Sequence, residues 1–239
     1  MGATARDEAA PLLGRDQEQS FLRSLLDEVA VHGQALVLRG EPGVGKSRLL
    51  SDAARTARER GMSVLTATGV QSEASLPFAG LHQLLRPVRA RAAELPAAQR
   101  AALDAAFGLT PEVAPEHYRI AMAALDLVSE VASDAPVLLV AEDTQWLDRP
   151  TSDVLAFVAR RIESDPVVLL AATREGYPSV LGDAGVPERK GLRSRRRGGR
   201  GIARRGGPSA FAGGAQPGAA RIGREPARTH RAATAGSPA

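Results

Sequence analysis

The sequence predicts an α/β fold, a three-layer sandwich with helices packed on both faces of a parallel sheet, and three observations carry that prediction. Two apolar runs, Val137 to Ala141 and Pro166 to Ala172, have the unbroken hydrophobicity of strands buried on both faces, which parallel sheets require. Segments with helical spacing alternate with such strands up to about residue 175, the order that builds layered α/β domains. Between the first strand and its helix stands Gly40-Glu41-Pro42-Gly43-Val44-Gly45-Lys46-Ser47, which has the spacing of a phosphate-cradling P-loop.

The elements follow in order. Asp16 is placed to cap a helix whose apolar face is Phe21, Leu22, Leu25, Leu26 and Val29, ending near Gly33. Gln34 to Leu38 is a short buried strand, and Lys46 to Glu59 carries Leu49, Leu50, Ala53, Ala54 and Ala57 on one helical face. A second strand fits Ser63 to Thr66. Helices are expected around Phe78 to Leu85 and from Ala97 to Phe107, where the spacing indicates core packing. Another runs from Tyr118 to Val131, with Ile120, Ala124, Leu127, Val128 and Val131 aligned. Strand Val137 to Ala141, a helix from Thr151 to Ile162 and strand Pro166 to Ala172 complete the series. No internal repeat interrupts it.

The chemistry sits at strand ends. Glycines in the loop let successive backbone N–H groups face one point, and the dipole of the following helix favours negative charge there. Lys46 would bring a mobile positive charge to the β- and γ-phosphates of ATP, and the Ser47 hydroxyl would ligate Mg²⁺. Strand Val137 to Ala141 empties into Glu142-Asp143, at the edge where ligands of open α/β sheets collect. One carboxylate, Glu142, would hold Mg²⁺, and the other, Asp143, would orient or deprotonate an attacking water. Without the upstream loop, two acids after a strand would more simply solvate a turn. Asp148 reads better as the cap of the helix that Pro150 begins than as a catalytic acid. The fold is therefore expected to be that of a P-loop NTPase.

Composition bounds the rest. There is no cysteine, no apolar run of eighteen residues and no N-terminal secretion signal, so a cytosolic location is expected, with no disulfide, thiolate chemistry or membrane partner. His32, His82, His117 and His230 lack metal-ligand spacing. The net charge of +4 divides unevenly. Residues 1–186 hold 18 basic and 25 acidic side chains, whereas residues 187–239 hold 13 basic and 2 acidic. The Gly/Arg-rich composition beyond the fold cannot bury enough apolar area to offset its ordering entropy. The expected organisation is a flexible N-terminus over 1–12, an ATPase domain over 13–178 and a disordered basic tail over 179–239. Lysine occurs only at positions 46 and 190 while arginine abounds, a mixture that an out-of-frame reading of GC-rich codons would give.

Taken together, Leu13-Gly14-Arg15-Asp16, the loop Gly40 to Ser47, Glu142-Asp143-Thr144-Gln145-Trp146-Leu147-Asp148 and Thr173-Arg174 resemble the ATPase module of large bacterial LuxR-type regulators, of the STAND branch of AAA-related P-loop NTPases. The resemblance covers roughly residues 12–178. It implies that Gly14 and Arg15 lie near the adenine of ATP, and that Arg174 is a catalytic sensor reaching toward the γ-phosphate. Without it, Arg174 would read as a surface charge at a strand end. The family usually has Asp where Glu142 stands, and many hydrolytic relatives have Glu where Asp143 stands, so slow hydrolysis is expected. It also implies that DNA is contacted only through a helix-turn-helix domain that this chain lacks, and that a fifth strand beside Gln34 to Leu38 should follow Arg174. No such strand is legible, so the sheet is expected to be incomplete, with Gln34 to Leu38 as an edge open to self-association. The alternative function is nucleic-acid binding by the basic tail, although Phe211 alone offers a stacking surface there.

Overall fold

The computed structural model describes residues 15–110 and 116–190. Five parallel strands, β1 (Gln34–Gly40), β2 (Ser63–Thr68), β3 (Val137–Glu142), β4 (Val167–Arg174) and β5 (Glu188–Arg189), stand in the order β2-β3-β4-β1-β5. The helices are α1 (Asp16–Glu28), α2 (Lys46–Glu59), α3 (Ala79–Leu85), α4 (Ala97–Ala106), α5 (His117–Asp134), α6 (Arg149–Ala159) and α7 (Val180–Asp183). The strand alternation divides the core in two. Leu36, Leu38, Leu138, Val140, Val168 and Leu170 pack against α1 and α2 on one face. Val37, Leu139, Val167 and Leu169 meet Leu81, Leu84, Ile120, Leu127 and Leu155 on the other. Each fully buried Leu, Ile or Val contributes about 1.5–3 kcal/mol, so the sandwich rests on these two apolar faces.

Most expected elements are present within a few residues of their expected bounds. The differences have local causes. Asp16 does not cap α1. Arg15 occupies the cap position, and Asp16 stands in the first turn, where a carboxylate still meets the positive end of the helix dipole. Helix α1 stops at Glu28, and Gly33 enters the sheet where a Cβ would lie 1.9 Å from the Ile162 carbonyl oxygen. Asp148 is the N-cap of α6 and more. Its buried carboxylate accepts from the backbone N–H of Thr151 (2.9 Å), Phe78 (2.8 Å) and Gly80 (3.0 Å) and from the Thr151 hydroxyl (2.7 Å), stapling the start of α3 to the start of α6.

The expectation of an incomplete sheet is corrected by β5. This strand is only two residues long and pairs with β1 at Val37↔Glu188 and Leu38↔Arg189, while the Val37 N–H donates to the Pro187 carbonyl at 2.9 Å. Strand β1 is therefore interior, and residues 179–190, expected in the tail, form α7 and β5. Pro187-Glu188-Arg189-Lys190 offers no apolar alternation, which is why periodicity misses it. A side-chain fork holds it instead: the Arg39 guanidinium donates to both Glu188 carboxylate oxygens, at 3.0 and 2.9 Å. Residues 1–14 and 191–239, including the expected flexible N-terminus and most of the expected tail, lie outside the described residues.

Candidate nucleotide-binding site

The strand order brings three chain segments to one edge. Strand β4 lies between β1 and β3, so the C-terminal ends of β1, β4 and β3 are neighbours, and Gly40 is in register with Arg174. At the end of β1 the loop turns through Gly43 (φ 71°) and Gly45 (φ 94°), conformations that only glycine adopts without strain. A Cβ built on Gly43 would meet nothing within 4 Å, so the loop leaves open space at its turn. Fourteen-residue α2 then begins at Lys46, with its N-terminal N–H groups directed at the loop.

Lys46 is buried, and its ammonium donates to the carbonyls of Gly40 (2.9 Å) and Glu41 (3.0 Å). Burial lowers its pKa; nearby Asp143 acts in the opposite direction and Arg174 in the same one. Burial raises the pKa of the Glu142 carboxylate, while the neighbouring Ser47 hydroxyl acts in the opposite direction by hydrogen bonding. The two side chains expected to serve Mg²⁺ are thus neighbours. Hard oxygen donors of this kind, one hydroxyl and one carboxylate, suit Mg²⁺, and the glycine cradle with Lys46 suits a polyphosphate; the residues fit the groups expected of them.

Asp143 follows β3 in the left-handed region (φ 47°, ψ 47°). Its backbone oxygen would stand 2.3 Å from a Cβ on Gly69, so a glycine is needed where β2 ends. The Arg174 side chain, at the end of β4, places Nε 3.8 Å from Asp143 Oδ1. Lys46, Ser47, Glu142, Asp143 and Arg174 are therefore brought together. Gly40, Glu41, Pro42, Gly43, Val44 and Gly45 form the loop facing them. Gly14 lies outside the described residues. Arg15 is buried beside the loop, donating to the Val44 carbonyl at 2.5 Å and to Glu18 at 3.2 Å, so its guanidinium braces the loop backbone from behind.

Two contributors escape sequence reasoning. Gln145, in the 3₁₀ turn Thr144–Trp146, donates to Asp143 Oδ1 at 2.8 Å and accepts from the Arg174 N–H at 3.1 Å. Tyr177, beyond Arg174, packs edge-on against Trp146 with ring centroids 5.4 Å apart. The Gln145–Arg174 and Trp146–Tyr177 contacts leave no local signal, because each depends on β3 and β4 being neighbours.

Comparison with known proteins identifies the family. The family model described as "AAA ATPase domain" matches residues 11–170, and the chain belongs to that family, whose membership implies nucleotide binding. An uncharacterized protein of Rhizobium meliloti (strain 1021) is 27% identical over 211 residues, covering 77% of this chain and 20% of its own length. The chain thus spans about a fifth of that relative. Among solved structures, Cdc6p from Pyrobaculum aerophilum aligns with a TM-score of 0.50 at 16% identity, over 74% of this chain and 45% of that one, a likeness of fold. AMPPCP-bound DnaA from Aquifex aeolicus aligns with a TM-score of 0.40 at 14% identity, over 73% of this chain and 45% of that one. Among the described residues no helix is long and apolar enough to cross a membrane.

Proposed function

We propose that this chain is an ATP-binding switch domain of a LuxR-type transcriptional regulator, working with Mg²⁺ and hydrolysing ATP slowly in the cytosol. The observation that carries the nucleotide reading is the convergence of Lys46, the neighbouring Ser47 and Glu142, Asp143 and Arg174 at the ends of three adjacent strands. The glycine cradle and the N-terminus of α2 would hold the phosphates, with Lys46 leaving the Gly40 and Glu41 carbonyls to meet the β- and γ-oxygens. Ser47 and Glu142 would hold Mg²⁺, which would supply charge neutralisation for the phosphates. Asp143 would align and accept a proton from the attacking water, and Arg174 would meet charge developing on the γ-phosphate. The regulatory assignment rests on the motif series Leu13 to Asp16, Gly40 to Ser47, Glu142 to Asp148 and Thr173-Arg174. In it, DNA is reached through a domain outside this chain.

The test is nucleotide binding and turnover by the full chain, followed by DNA binding at graded salt. MgATP binding without DNA affinity is expected. Tight DNA binding that weakens steeply with salt and ignores ATP would instead favour the basic tail as the functional element.

A further inference from the structure

Gln145 stands between the two residues assigned to the reacting end of the nucleotide, yet it belongs to neither the loop nor the carboxylate pair. Its carboxamide can face only one way. A carboxylate has no proton to give and a backbone N–H has no lone pair, so the amide nitrogen must meet Asp143 and the amide oxygen must meet Arg174. The turn that carries it is pinned to β4 a second time, because the Thr144 hydroxyl donates to the Ala172 carbonyl at 3.2 Å. It is closed on its own side by the Trp146 N–H donating to the Asp143 carbonyl at 2.8 Å. Asp143 itself leaves β3 in the left-handed conformation, where the backbone alone does not fix which way the carboxylate rotates.

We propose that Gln145 is a positioning residue that clamps the Asp143 carboxylate to the backbone of Arg174, holding the water-orienting group and the γ-phosphate sensor at a set separation. The inference rests on the nucleotide reading above. One oxygen of Asp143, Oδ1, takes both the Gln145 amide and the approach of Arg174 Nε, so the carboxylate is turned by contacts from two directions. Loss of the clamp leaves the phosphate cradle intact and loosens only the groups that address the third phosphate. The signature is therefore selective: ADP, which lacks that phosphate, should be bound as before.

The experiment compares MgATP and MgADP by calorimetry on the full chain, with turnover and thermal unfolding alongside. Gln145→Leu is expected to keep ADP affinity within about twofold, to reduce the ATP-over-ADP preference several-fold, and to lower kcat roughly tenfold or more, as a misplaced catalytic group does. Gln145→Glu matches the side chain's shape but has no N–H for Asp143, and should show the same kcat loss even if Gln145→Leu folds poorly. In an Arg174→Ala background, Gln145→Leu should change the ATP-over-ADP ratio no further. Equal weakening of both nucleotides with a lower unfolding temperature would make the residue merely structural and overturn the proposal. So would wild-type discrimination and turnover in both variants. A wild-type chain that binds neither nucleotide would overturn the nucleotide reading and the clamp with it, whereas a discriminating wild type with equally discriminating variants overturns the clamp alone.

Discussion

At the scale of single residues, the two acids after β3 have different surroundings and so different expected failures. Glu142 is half-buried beside Ser47, while Asp143 faces Arg174 and Gln145. Glu142→Gln is expected to raise the Mg²⁺ concentration needed for ATP binding, read by calorimetry at graded Mg²⁺, with ADP-alone affinity little changed. Asp143→Asn is expected to lower turnover by about two orders of magnitude while ATP affinity moves by less than about fivefold, since such a group acts mainly in the transition state. Unchanged turnover in Asp143→Asn would reverse the division of roles. The loop residues were legible in sequence because their chemistry constrains residue type directly: positive φ demands glycine at 43 and 45, and the phosphates demand a lysine at the helix start. Gln145 was not legible, because its value depends on a residue 29 positions away in the chain.

At the scale of elements, two polar side chains hold pieces that hydrophobic burial alone does not. Asp148 satisfies three buried backbone N–H groups, and its loss would orphan all of them at once. Asp148→Ala is expected to destabilise the domain by on the order of 3–5 kcal/mol, a large share of the total of a typical domain, as read by the urea midpoint. A change below about 1 kcal/mol would mean that α3 and α6 are held by packing instead. Strand β5 depends on Arg39, which holds the Glu188 carboxylate below its usual pKa range by hydrogen bonding. The lowered folded pKa means that the contribution is fully present above the ordinary glutamate pKa and is lost as pH falls through the lower folded value. Glu188→Gln should therefore flatten the acid limb of the stability profile, and Glu188→Ala should speed hydrogen exchange at Val37, whose N–H reaches Pro187. Val37 exchange unaffected by Glu188→Ala would show that β5 holds without the fork. The long strands were legible from apolar runs, since burial on both faces writes itself into composition. Strand β5 was not, because two residues held by an ion pair leave no periodic trace.

At the scale of the whole molecule, strand order turns separate motifs into a site. Placing β4 between β1 and β3 sets Arg174 between the loop and the acidic pair, and no spacing along the chain encodes that adjacency. A ligand that binds only the assembled edge must stabilise the whole fold. At 100 times its dissociation constant, MgATP is expected to add about 2.7 kcal/mol and to raise the unfolding temperature by roughly 5–10 °C for a domain of this size. The most direct measurement is calorimetric titration of MgATP into the full chain and its Lys46→Ala variant, with folding of both checked by circular dichroism. Saturable binding by the wild type and none detectable in the folded variant is the predicted result, because Lys46 is the ammonium that the loop itself holds in place. Equal ATP affinity in the two proteins would contradict the assignment of this edge as a nucleotide site.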